Sequence, residues 1–133
     1  MGLTSIAKKR WKAKKPMVAK PPVLENNCAL LYASGNGGIT AERFDGWMMW
    51  EGVMRRVSGW RRLAKDGSGW IAVYYMSETI LTLRESVKYS PAAPQYKDHA
   101  TLGGEMVKLC GWVNRSAKGR VYMRIVPDTY GQD

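Results

Sequence analysis

The sequence is poor in the residues that build metal and redox centres. It holds one histidine, His99, and two cysteines, Cys28 and Cys110, among 133 residues. Two thiols are too few for a disulfide-stapled scaffold or a zinc site built on thiolates. One histidine excludes a His-rich metal or acid–base centre, so no metal ligand is assigned. A single disulfide between Cys28 and Cys110 stays open; otherwise both behave as small buried hydrophobes. No run of about 18 apolar residues is present, which excludes a membrane-spanning helix. No apolar stretch of about 7–15 residues follows the basic leader, so no secretory signal is recognisable. The expected setting is intracellular or a virion.

Catalytic signatures are equally scarce. Ser34-Gly-Asn-Gly-Gly38 is glycine-rich, but no Gly-Lys-Ser/Thr ending follows, so it reads as a turn rather than a phosphate-binding loop. His99 stands beside Asp98 with no nucleophile signature near it. The expectation is a protein that is not an enzyme, with no catalytic residues and no cofactor.

Residues 1–24 contain no acid at all. They hold Lys8, Lys9, Arg10, Lys12, Lys14, Lys15 and Lys20, so +7 of the formal net charge of +10 sits in this segment and +3 in the rest. Six cations crowd into Lys8–Lys15, followed by Pro16 and Pro21-Pro22. Mutual repulsion and a shortage of apolar side chains predict a flexible basic arm with a Pro-rich linker. Three uses are compatible with it: contact with nucleic acid, targeting, or an anionic membrane surface. On a single strand, seven engaged cations give a log–log salt slope of roughly −5. Trp11, inside the cluster, is placed to stack on a base or to insert into a lipid interface.

What the remainder has in quantity is apolar and aromatic residues. The chain is 45% hydrophobic with six Trp and seven Tyr, enough to fill a core. The expected organisation is the arm at 1–24, one globular domain at 25–127 and a polar, frayed tail at 128–133. Cys28–Ala33 is short and apolar, as in a buried strand. Thr40 can cap a helix starting at Ala41, with Phe44, Trp47, Met48 and Met54 on its apolar side. Trp60–Ala64 and Trp70–Met76 flank a glycine-containing loop and read as a hairpin. Thr79–Arg84 reads as a strand, with a helix over Ser77–Tyr89 as its competitor. A loop is expected from Ser90 to Gly103-Gly104. Four tryptophans directly follow glycine, at Trp47, Trp60, Trp70 and Trp112. The fold class expected is α+β, mostly β: a small, partly open, OB-like β-barrel of five strands, or a compact sandwich, with one helix.

The C-terminal stretch has the cleanest pattern. Glu105–Val113 and Arg120–Val126 alternate around a turn at Asn114–Gly119, which predicts a hairpin. One face carries Val107, Leu109, Val113, Val121, Met123 and Ile125. The other carries Lys108, Cys110, Trp112, Arg120, Tyr122 and Arg124. Rings for stacking beside cations for phosphates suit single-stranded nucleic acid. A structural account competes, in which Trp112 and Tyr122 cover a second apolar layer and the arginines are solvated at an edge. The functional expectation is sequence-nonspecific binding of RNA or single-stranded DNA. Its site comprises Lys8, Lys9, Arg10, Trp11, Lys12, Lys14, Lys15, Lys108, Trp112, Arg120, Tyr122 and Arg124. The alternative is a structural subunit of a viral capsid or ribonucleoprotein assembly that self-associates, its arm on the packaged nucleic acid.

Overall fold

Eight consecutive segments are strands, with buried residues alternating most regularly in Arg43–Trp50 and in the hairpin of Glu105–Arg115 with Val121–Pro127. A computed structural model describes residues 22–34, 41–86 and 90–129. The strands are β1 Cys28–Ala33, β2 Arg43–Trp50, β3 Val53–Leu63, β4 Gly69–Tyr75, β5 Glu78–Glu85, β6 Tyr96–Leu102, β7 Glu105–Arg115 and β8 Val121–Pro127. Each pairs antiparallel with its neighbours in sequence, and β1 pairs with β8 to close the barrel. Closure satisfies most backbone groups that an edge strand would leave open; the β5–β6 seam is the shortest, pairing only Arg84 with Lys97 and Glu85 with Tyr96.

The expected β character is correct, but several details are overturned. The barrel is closed with eight strands, neither partly open and OB-like nor a sandwich, and the described residues contain no helix. The helix expected from Ala41 is strand β2. Phe44 and Met48 lie four apart and therefore share a face in both helix and strand. Gly46 and Trp50 complete the inward period-two set, and all four are buried. Thr40, its expected cap, lies outside the described residues, as do residues 1–21 of the expected arm. The competing helix at Ser77–Tyr89 is also absent: Glu78–Glu85 is β5. The loop expected over Ser90–Gly104 contains β6, whose polar Lys97, Asp98 and His99 hide its alternation. Order also reaches into the expected tail. Asp128 is buried, its N–H donates to the Lys108 carbonyl at 2.8 Å, and Lys97 approaches its carboxylate at 3.8 Å.

The interior is filled with side chains. Leu31, Phe44, Met48, Ile71, Val73, Leu83, Leu109, Val113, Met123 and Ile125 are all shut off from solvent. Burying each such side chain contributes about 1.5–3 kcal/mol. Apolar inside and charged outside is the reverse of a barrel that faces lipid. No helix among the described residues is long and apolar enough to cross a membrane.

The two ends differ. One end carries three two-residue turns, Glu51-Gly52, Met76-Ser77 and Gly103-Gly104, every one with both central φ angles positive. That is the type I′ pattern, whose twist matches a hairpin. This end is also plugged: the Arg55 guanidinium lies 3.9 Å over the Trp50 ring, and Trp50 meets Tyr75 edge-on at 5.4 Å. The other end carries the longer connections. Two of them, 64–68 and 116–120, share one design, with a glycine of positive φ at the fourth position (Gly67, Gly119) and matching backbone hydrogen bonds.

Ser77 sits at φ 69°, a conformation that costs a non-glycine residue about 1–2 kcal/mol. Ser77→Gly is therefore expected to raise stability by about 1 kcal/mol, offset in part by unfolded-state entropy. A urea midpoint that falls instead would contradict the strain argument.

Candidate nucleic-acid interface

The Gly-Trp pairs acquire a physical meaning in the barrel. Gly46, Gly59, Gly69 and Gly111 are buried, while Trp47, Trp60, Trp70 and Trp112, one residue on, are half-buried on the outer surface. A Cβ on Gly59 would stand 3.0 Å from Leu31 Cδ2 and 3.1 Å from Met123 Sδ. One on Gly111 would stand 3.2 Å from Ile71 Cδ1. At Gly59 and Gly111 glycine is thus favoured by the crowded interior, and at each of the four pairs the next residue faces outward.

Register then places arginines beside these rings. Trp112 lies opposite Arg124, Arg124 opposite Leu30, Leu30 opposite Trp47, and Trp47 opposite Arg56. This row crosses β7, β8, β1, β2 and β3, and its two tryptophans are three strand spacings apart, about 14 Å. Arg124 lies 5.7 Å from the Trp112 ring centre and Arg56 lies 5.4 Å from that of Trp47. A parallel row holds Asn114, Tyr122, Tyr32, Asp45 and Ser58. Further round the wall, Trp60 is flanked by Arg62 at 4.6 Å and Arg43 at 5.8 Å. Trp70 lies between Arg62 and Arg84 in register.

Among the described residues, Arg56, Arg62, Arg120 and Arg124 make no ion pair with a carboxylate. Their charge is held against rings instead, which leaves guanidinium N–H groups available to an anion. Asp45 is the acid inside this surface. It accepts hydrogen bonds from Ser34 and from Ser58 (3.1 Å), and Arg43 stands 3.7 Å away.

The residues anticipated from sequence are only partly brought together. Trp112, Tyr122 and Arg124 do share the outer wall, opposite the buried Leu109, Val113, Val121, Met123 and Ile125. The Trp112 indole N–H donates to the Ala92 carbonyl at 3.1 Å, which holds the ring against the β5–β6 connection. Arg120 is in the β7–β8 turn rather than in a strand, and its guanidinium lies 3.9 Å over Tyr32, not over Trp112. Lys108 is exposed but stands four residues from Trp112 along β7, about 13 Å away. Lys8, Lys9, Arg10, Trp11, Lys12, Lys14 and Lys15 lie outside the described residues. Pro22, where the description begins, lines a groove with Leu30, Tyr32, Trp47, Arg56 and Arg120. The arm is therefore rooted beside the row.

Sequence reasoning missed Tyr32, Trp47, Arg56, Trp60, Arg62 and Trp70. The signal was present in β3, where Arg56, Ser58, Trp60 and Arg62 alternate, and in the Gly-Trp pairs. Cys28 and Cys110 are both buried and free. Burial pushes the Cys110 thiol up to about 11, and Cys28 is raised for the same main reason. Burial likewise raises Tyr96. Among the described residues no group of three or more His, Cys, Asp or Glu is placed to hold a metal. No protein-family model, curated protein or solved structure matches the chain.

Proposed function

We propose that the protein binds single-stranded nucleic acid, RNA or DNA, without sequence specificity. The observation that carries this reading is the row Trp112–Arg124–Leu30–Trp47–Arg56, with the root of a +7 arm beside it. Bases stack on the half-buried rings of Trp47 and Trp112, and the arginines beside them neutralise the adjoining phosphates. The reading needs no base-edge contacts, because every base has a ring face. The arm adds affinity that depends on charge alone.

Fluorescence titration with oligonucleotides tests it, since stacking quenches tryptophan. Trp47→Ala is expected to weaken binding by about 1–3 kcal/mol, roughly five- to 150-fold, with Trp47→Phe retaining most of the affinity. An unchanged affinity for a folded Trp47→Ala chain would remove the outer wall from the site. The assembly alternative uses the same wall for subunit contacts. The β5–β6 seam pairs only Arg84 with Lys97 and Glu85 with Tyr96, so such contacts have backbone groups of β5 and β6 available as well as side chains. Mass in solution separates the two: a large symmetric particle favours assembly, and a small species that binds oligonucleotides favours the first reading.

A further inference from the structure

The modest +3 of the domain conceals a separation of charge along the barrel axis. At the end with the longer loops stand Arg43, Arg61, Arg62, Lys65, Arg84, Lys97, Arg115, Lys118 and Arg120, against Glu42, Asp66 and Glu85 and against Asp45 and Asp98, which pair with Arg43 and Arg84. At the tight-turn end stand Glu25, Glu51, Glu78 and Glu105, against Lys108 and the inward-held Arg55, which pairs with Glu51 at 3.8 Å. The second end also exposes apolar side chains. Val53 is 50% exposed, Met76 79% and Met106 71%, and each belongs to a different one of the three hairpins at that end. Leu63, 75% exposed, stands at the opposite end, so what distinguishes this end is that three exposed apolar tips accompany the carboxylates.

We infer that this acidic, apolar end is the docking surface for the basic N-terminal arm of a second copy of the chain. The chemistry is complementary. The arm has seven cations and no carboxylate, and it carries Leu3, Ile6 and Trp11 for the apolar tips. An extended arm is long enough to reach its own far end, and the mass of the full chain in solution separates that outcome from docking on a second copy. Pro22 lies with Tyr32, Ser34 and Arg120, toward the basic end, so the arm starts at the end that repels it and opposite the end that attracts it. Joining the arm of one copy to the far end of the next is a heterologous contact, which extends as a chain or closes as a ring.

Sedimentation velocity on the full chain, freed of nucleic acid, tests this apart from the nucleic-acid reading. Self-association is expected at low salt and should weaken at least tenfold as salt screens the charges. Complementation is decisive. A chain with Met76→Lys and Met106→Lys keeps its arm but loses its docking end; a chain lacking residues 1–20 keeps the end but loses the arm. Each alone should be monomeric, and their mixture should form a one-to-one dimer. Should the lysine variant melt early, Met76→Ser with Met106→Ser replaces it, because both positions are exposed. Self-association by either chain alone, a mixture that stays monomeric, or a full chain that is monomeric at every concentration overturns the inference.

Discussion

Deletion of residues 1–20 is expected to remove most of the salt dependence of nucleic-acid binding. All seven cations of the arm lie within this stretch. Each engaged cation contributes about 0.7 to the log–log slope on a single strand, so the slope should fall in magnitude by roughly 5. A slope of that size means about a thousandfold loss of affinity between 50 and 200 mM salt. The full-length and truncated chains should therefore differ greatly at low salt and converge as salt rises. What binding survives in the truncated chain belongs to the barrel wall, where stacking is less sensitive to screening. Truncated protein that still quenches its tryptophans places the strand on the wall. Equal slopes for the two chains would mean that the arm does not touch the nucleic acid.

Gly46→Ala should be the most destabilising single-methyl addition in the barrel. The new Cβ would stand 2.6 Å from Leu31 Cα and nearer still to the Leu30 carbonyl oxygen. Both are backbone atoms of the paired strand β1, so no side chain can rotate away. The β1–β2 ladder must open, and a loss of about 3 kcal/mol or more follows from overpacking of this kind. That is a large share of a marginal stability of about 5–15 kcal/mol. Gly59→Ala provides the contrast. Its neighbours are the tips of Leu31 and Met123, which can shift, so a loss of about 1 kcal/mol is expected. Urea unfolding of the two variants measures the difference, and equal losses would refute the distinction between backbone and side-chain neighbours.

Legibility of the fold varied with the strength of the local pattern. The β7–β8 hairpin was readable because Leu109, Val113, Val121, Met123 and Ile125 alternate strictly with polar or aromatic residues. Strand β6 was not, because only Tyr96, Ala100 and Leu102 are buried in it and the residues between are polar. Strand β2 was misread because a spacing of four satisfies both a helix and a strand, and glycine is unfavourable in either. Only a partner on each side decides such a case. The site was legible to the same extent: Trp112, Tyr122 and Arg124 follow from one hairpin, whereas Tyr32, Trp47 and Arg56 need strands β1 to β3 to be placed beside it.

The amino-acid sequence by itself determined the division of charge into a +7 arm and a +3 remainder, the β character of the domain and the inward and outward faces of its clearest hairpin. These are local properties, set by which residues are neighbours in the chain and by the two-residue period of a strand. Tertiary structure alone decided that the sheet closes. Period two tells which way a side chain faces but not which strand lies next to it. Pairing β1 with β8 brings Leu30 beside Arg124 and Tyr32 beside Tyr122 across more than 85 residues of chain. The same closure explains the glycines before Trp60 and Trp112, since a Cβ at Gly59 would meet Leu31 and Met123 and one at Gly111 would meet Ile71 and Leu83 in the filled interior. It also leaves an excess of cations at one end and of carboxylates at the other, a difference invisible in the sum.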